Sequence, residues 1–282
     1  MWQKPTSLAA ALALLAEATS RPCVIAGGTD LMVERQLGNA AAPDAWLDLS
    51  AIPELQGIDA GADTLRIGAA TPLRAVAGHS GVQARWPMLT ASAALTGATP
   101  IQNRATLGGN LVNASPAADN PPALLAYGAE LELASARGTR RLPVAEFYTG
   151  YRRTVLGADE LVTAVYLPAP DEKARQYYRK VGTRQAQAIA KLSLAALYEL
   201  DAAGNIAVVR FGMASVAPTP TVLPQLASWL LGQSPSAVDP AALRKQISRD
   251  IAPIDDIRST GTYRLQTAAR LIEESLAGIA NT

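Results

Sequence analysis

Apolar positions along the chain follow two rhythms, one helical and one alternating or continuous. Over residues 6–18 they recur every three or four places, with Leu8, Leu12 and Leu15 on one face and Thr6 or Ser7 as cap, which predicts a helix. Residues 23–26 form a short apolar run ending in glycine, read as a buried strand. A helix over 31–37 follows, stopped by Gly38-Asn39. Residues 46–49 and 65–69 read as strands, with a helical turn over 52–55 between them. The Ala-rich segments 73–77 and 88–95 read as buried helices. Pro121-Pro122 suits the first turn of a helix over 119–125. Residues 130–134 and 139–142 pair as a hairpin about Gly138. Residues 144–148 and 150–154 read as loop, leading to a strand over 160–167.

Pro168-Ala169-Pro170, followed by Asp171-Glu172-Lys173, is the best boundary candidate. Beyond it lie strand-like runs at 175–181, 195–200 and 206–213, the last two joined by a turn at 201–205. The remainder is helical, over 222–231, 240–248 and 261–277.

Two glycine pairs interrupt this pattern. Ala26-Gly27-Gly28-Thr29-Asp30-Leu31 carries a strand through a turn into a helix, where free amides favour an anion. No Gly-Lys-Ser/Thr follows and the Gly-x-Gly-x-x-Gly spacing is absent, so it is neither a Walker A loop nor a Rossmann fingerprint. The second pair lies in Thr106-Leu107-Gly108-Gly109-Asn110, with Asn113, Ser115 and Asp119 after it. Glycine amides there suit a phosphate, and the Asp119 carboxylate suits sugar hydroxyls. The same stretch equally reads as a tight turn followed by a Ser-Pro loop. Two such turns suggest a dinucleotide held between two subdomains.

These two stretches together resemble the FAD-binding medium subunit of the molybdenum hydroxylases, the xanthine dehydrogenase and carbon monoxide dehydrogenase family. Phe147-Tyr148-Thr149-Gly150-Tyr151-Arg152, Glu160-Leu161-Val162 and the segment from Tyr178 to Lys191 extend the resemblance in the same order. It implies an α+β fold: a vanillyl-alcohol-oxidase-type FAD-binding domain of two α/β subdomains, plus a C-terminal domain with a three-stranded antiparallel sheet and helices. The implied divisions are 1–170, with subdomains of about 1–56 and 57–170, and 171–282.

The resemblance also implies residue roles. Val24, Ile25, Ala26, Gly27, Gly28, Thr29, Asp30 and Leu31 would wrap the FAD pyrophosphate. Thr106, Gly108, Gly109 and Asn110 would bind the phosphate and ribityl region from the other side, and Asp119 would accept a hydrogen bond from a sugar or ribityl hydroxyl. Lys180 matches a lysine close to the flavin ring, where an ammonium would raise the flavin potential. Val162 matches a backbone contact to the ring. Thr96 matches a position that can hold an aromatic beside the cofactor. Each has a plainer reading: Asp119 as a helix N-cap, Lys180 at the end of an exposed strand, Val162 as core. Arg104 suits either the phosphates or a solvated loop. The segment 181–191 matches a mobile loop near the ring and carries Ala186-Gln187-Ala188 where some relatives are acidic, so NAD use is not inferred from it.

Composition narrows the chemistry. Hydrophobic residues make up 49% and aromatics 5%, so the core rests on Ala, Leu and Val. The net charge of +1, with no Lys/Arg block, argues against nucleic acid as a partner. No apolar run reaches a membrane span, and the first helix is too mixed for a signal segment. Cys23 is the only cysteine and His79 the only histidine. Together they give no iron–sulfur cluster, zinc site or nucleophilic triad, and they fit a reducing cytoplasm. His79, before Ser80-Gly81, reads as an exposed loop residue.

The resemblance therefore implies a cytoplasmic oxidoreductase subunit. FAD would sit on this chain, a [2Fe–2S] cluster and the molybdenum cofactor would sit on partner subunits, and NAD or another acceptor would take the electrons. The substrate, a purine, another N-heterocycle or an aldehyde, would be oxidised on the molybdenum subunit. A self-contained FAD oxidoreductase of the same superfamily and a cofactor-free assembly protein are the alternatives.

Overall fold

The computed structural model describes residues 1–38 and 43–280; Asn39, half of the expected helix stop, lies outside them. The first sheet is parallel, with Trp46–Asp48 between Trp2–Gln3 and Cys23–Ile25. Helix Leu8–Glu17 makes the crossover. Ser7 caps it by accepting from the Ala10 amide at 3.2 Å, and Ala11, Leu12 and Leu15 are buried as the helical spacing requires. Helix Leu31–Gln36 follows the first glycine pair and buries none of its residues.

The second sheet is antiparallel, in the order Ile58–Ala60, Thr64–Gly68, Leu161–Pro168, Glu130–Ser135, Gly138–Pro143. Leu161–Pro168 thus pairs with strands far from it in sequence on both sides. Helices Leu73–Gly78, Pro87–Ala94 and Pro121–Tyr127 share its core, around the buried Trp86, Tyr127 and Phe147. In the Ala-rich helices Leu73, Val76, Met88 and Leu89 are buried, while Arg74, Ala75 and Ala94 face solvent, so these helices are buried on one face only.

The third sheet, Arg175–Val181, Leu192–Leu200 and Ile206–Ala214, is antiparallel. Its central strand is buried on both faces. Leu192, Leu194, Ala196 and Tyr198 pack under helices Pro224–Leu230, Pro240–Ile247 and Gly261–Ala280. Ala195 and Leu197 face the core of the preceding part. Helix Pro121–Tyr127 seats on that second face, where a Cβ on Gly212 would stand 2.1 Å from the Pro122 carbonyl oxygen.

Several expectations are corrected. The segment read as loop over 144–154 is a 3-10 turn, Val144–Glu146, followed by a hairpin of Tyr148–Gly150 and Arg153–Thr154. Strands of two or three residues are too short to carry an alternation. His79 is half-buried, not exposed; its Nδ1 accepts from the Val82 amide at 3.2 Å and starts helix Ser80–Arg85. The second glycine pair lies inside a short helix, Leu107–Val112, rather than in a tight turn. The strand expected to begin at residue 195 begins at Leu192, because Ser193 is buried and interrupts the apolar run.

Gly212→Val should lower stability in urea unfolding by about 1–3 kcal/mol, since the added carbons must push helix Pro121–Tyr127 off its seat. An unchanged midpoint would show that the two parts are not held this closely.

Candidate functional site

A cavity of about 1180 Å³ opens where the three sheets meet. Its wall includes Val24, Ala26, Gly27, Gly28, Thr29, Asp30, Leu31, Thr96, Thr106, Gly108, Gly109, Asn110, Asp119 and Val162, together with Asn113 and Ser115. Two of the candidate residues stand off the wall. Ile25 is buried beneath the first glycine pair, 3.1 Å from where a Cβ on Gly28 would lie. Lys180 stands behind Asp119. The Arg104 side chain is exposed and off the wall, whereas its carbonyl packs on Gly27.

The two glycine pairs do different work. A Cβ on Gly27 would fall 2.0 Å from the Arg104 carbonyl oxygen, so this contact is open to glycine alone. Gly28 has φ +73°, in the left-handed region. The amides of Gly27, Gly28, Thr29 and Asp30 have no acceptor among the described residues, so this loop presents free donors to the cavity. In the second pair the amides are already used. Leu107 and Gly108 donate to Thr71 O at 3.2 Å and Ala69 O at 2.8 Å. Gly109 donates to Thr106 Oγ1 at 3.1 Å, and Asn110 to Thr106 O at 3.0 Å. The expectation of amides free for an anion is corrected here. Gly108 instead permits close packing, for its Cβ would fall 2.6 Å from the Ala69 Cβ.

Polar side chains hold the floor of the cavity. Lys180 Nζ lies 2.7 Å from Asp119 Oδ2 and donates to Leu95 O at 2.8 Å, with both side chains buried. The Tyr178 hydroxyl donates to Asp119 O at 2.9 Å. Asp119 Oδ1 is buried and has no partner among the described residues. Asn120, fully buried, donates to Thr96 Oγ1 and Asn110 Oδ1 and accepts from Ser92 Oγ, tying two wall residues together. The sequence reading missed Asn120; an amide between a carboxylate and Pro-Pro carries no distinctive signal. Asp119 accepts from no first-turn amide of helix Pro121–Tyr127, whose cap position is Asn120.

Val162 reaches the wall at a register shift between Val162 and Ala164, a bulge that re-aims side chains at the sheet's rim. Other wall residues were assigned no role from sequence. Arg21 donates to Gly157 O at 2.8 Å and ties the first sheet to the second. Arg152, at the hairpin tip with φ 53°, pairs with Glu34 Oε1 at 2.7 Å beside the first glycine loop. From the C-terminal part come loop 187–189, where the Gln187 amide donates to Gly97 O at 3.2 Å, and Arg264, which donates to Ser215 O and Asp256 Oδ1.

The family model for the FAD binding domain in molybdopterin dehydrogenase matches residues 1–170. That for the CO dehydrogenase flavoprotein C-terminal domain matches 176–278. The chain belongs to the FAD-binding subunit family of the molybdenum hydroxylases. It is 32% identical to the xanthine dehydrogenase FAD-binding subunit of Escherichia coli O157:H7, over 98% of this chain and 96% of that one. It is 29% identical to the caffeine dehydrogenase beta subunit of Pseudomonas sp., over 99% of this chain and 94% of that one. Among solved structures, carbon monoxide dehydrogenase from Hydrogenophaga pseudoflava superposes with a TM-score of 0.90 at 27% identity, covering 98% of this chain and 95% of that chain. Like other members of the family, the chain is an oxidoreductase subunit whose cofactor is FAD.

The residues present fit that cofactor on two counts. The first glycine loop offers a floor that a Cβ would fill and donors suited to a diphosphate. Asp119 Oδ1 offers a buried acceptor lacking a donor, which a sugar hydroxyl supplies.

Two tests follow from this geometry. Asn120→Ala should cost about 1–3 kcal/mol in urea unfolding, because it removes a fully buried amide and its three hydrogen bonds with Ser92, Thr96 and Asn110; a loss within about 0.5 kcal/mol would mean that these bonds add no net stability. Burial pushes the Asp119 carboxyl up to about 6, against the pull of the Lys180 ammonium. The native state therefore holds this proton longer than the unfolded chain, whose aspartates titrate near ~3.9. Its contribution to stability is greatest below that value and is lost as pH rises through about 6. Unfolding free energies of the flavin-free chain and of Asp119→Asn, compared across this window, should shift in favour of the variant as pH rises; a constant difference would refute the assignment.

Proposed function

We propose that this chain is the flavin electron-transfer subunit of a cytoplasmic molybdenum hydroxylase, receiving electrons from a [2Fe–2S] subunit and delivering them to an external acceptor such as NAD. A purine, another N-heterocycle or an aldehyde is oxidised at the molybdenum cofactor of a third chain. The observation that carries this reading is the single cavity wall joining free loop amides to an unsatisfied buried carboxylate oxygen. Relatives named as subunits of xanthine, caffeine and carbon monoxide dehydrogenases, matched over nearly their whole length, support the multi-chain arrangement. One cysteine is too few to ligate an iron–sulfur cluster, so that centre belongs on a partner. No described helix is long and apolar enough to cross a membrane.

Bound FAD supplies both one-electron and two-electron redox chemistry. The chain's own residues bind and orient it. Amides of residues 27–30 hold the diphosphate, and Asp119 accepts from a sugar hydroxyl. Thr96 and Val162 line the same cavity and would pack against the cofactor there. Arg152, held by Glu34, would stand beside the diphosphate loop as a further donor.

The full chain should purify yellow with one FAD per chain, and Gly28→Val, which forces a β-branched residue to φ +73°, should abolish retention. Affinity capture of the tagged chain from its native host should bring down one iron-containing and one molybdenum-containing subunit. Substrate oxidation by the purified chain alone would instead favour a self-contained oxidoreductase.

A further inference from the structure

We propose that Glu34 is a positioning residue of the cofactor site: it holds the Arg152 guanidinium beside the first glycine loop, and the pair ties the helix after that loop to the hairpin tip across the diphosphate end of the cavity. The inference rests on the reading of the cavity as an FAD site. Helix Leu31–Gln36 continues straight from the loop, for the amides of Met32 and Glu34 donate to the carbonyls of Gly28 and Asp30 at 2.9 Å each. Glu34 thus stands about one helical turn beyond the loop amides. The helix buries none of its residues, so core packing does not fix it. It is tied instead by Arg35, 5.4 Å over the Trp46 ring, and by Glu34 on Arg152 at 2.7 Å. Arg152 comes from a chain position 118 residues away, on a hairpin whose root is firm. There Phe147 is fully buried and its carbonyl accepts from the Val155 amide at 3.0 Å.

Arg152 lines the cavity and Glu34 does not. Only Nη1 of the guanidinium donates to Glu34; Nε and Nη2 have no acceptor among the described residues. A guanidinium is a rigid planar fork, so fixing one prong also fixes the direction of the others. Arg21, also on the wall, has instead spent Nη1 and Nη2 on the carbonyls of Gly157 and Glu160. Two carboxylates stand near the loop, Asp30 on the wall and Glu34 behind it. Burial pushes the Asp30 carboxyl up and Glu34 adds to this, while Arg152 pulls it down. Arg152 is therefore the cation that offsets both acids when a diphosphate enters. An ion pair this open, with side chains 48% and 31% exposed, adds little to folding because water screens it. What it changes is the freedom of a long side chain before the ligand arrives, and so the entropy lost on binding.

The test is FAD titration of the full chain stripped of flavin, read by flavin fluorescence, with the urea midpoint of the flavin-free chain measured alongside. Arg152→Met should weaken binding by roughly tenfold or more, the loss expected for a charged hydrogen-bond partner. Glu34→Ala should weaken it by roughly two- to fivefold and add no further weakening to Arg152→Met. Glu34→Gln, which keeps an acceptor for Nη1, should bind closer to the unaltered chain than Glu34→Ala does. None of these changes should move the urea midpoint or the visible absorbance bands of the bound flavin. Unchanged or tighter binding by Glu34→Ala would mean that the carboxylate only cancels the Arg152 charge, and would overturn the proposal. So would losses that multiply in the double variant, a urea midpoint that falls in step with affinity, or shifted flavin bands. If the unaltered chain binds no FAD, the cofactor reading itself fails, and the positioning role with it.

Discussion

Gly27 meets the carbonyl of Arg104 with no room for a single additional carbon, and this backbone-on-backbone contact sets the rest of the molecule. It brings the loop after Cys23–Ile25 against the chain entering Leu107–Val112, so the parallel sheet and the five-stranded sheet share a cavity instead of packing solidly. Gly108 repeats the device one layer on, against Ala69. Side chains at either place would fill the gap or force the layers apart.

The consequence is a division of labour between two similar-looking glycine pairs. One pair keeps its amides unspent and faces the cavity with donors. The other spends its amides on neighbouring carbonyls and on the Thr106 hydroxyl, and serves as a spacer. Unspent amide donors are therefore concentrated on one side, next to the Arg152–Glu34 pair. The opposite side, with Thr96, Asn110 and Asp119, is held by neutral hydrogen bonds through Asn120 and by one buried ion pair. A buried pair of this kind adds little net stability, because desolvation offsets attraction. Its effect is to fix the Asp119 carboxylate against the C-terminal sheet and helix Pro87–Ala94.

That pair also explains why the C-terminal sheet is more than an appendage. The central strand Leu192–Leu200 is apolar on both faces, which fastens this sheet to helix Pro121–Tyr127 while its own helices cover the other side. The edge strand then delivers Lys180 and Tyr178 to Asp119, and loop 187–189 reaches the cavity mouth.

By itself, the sequence determined the elements long or periodic enough to impose their own conformation. Helix Leu8–Glu17 and the long last helix are readable from buried positions at helical spacing, the hairpin from its turn at Gly138, and the three C-terminal strands from strand-like runs set between turn residues. It placed glycine pairs at 27–28 and 108–109 and a carboxylate at 119. Only the tertiary structure decided what those residues do. Whether an amide is free depends on which carbonyl another segment brings up: Ala69 and Thr71 accept from Gly108 and Leu107, but no carbonyl among the described residues accepts from the first pair. The partnership of Asp119 with Lys180, the reach of Asn120 to Thr96 and Asn110, and the placement of Arg152 at a hairpin tip all join residues distant in sequence. No local pattern encodes such contacts, because they arise from how layers pack and not from how any one segment folds.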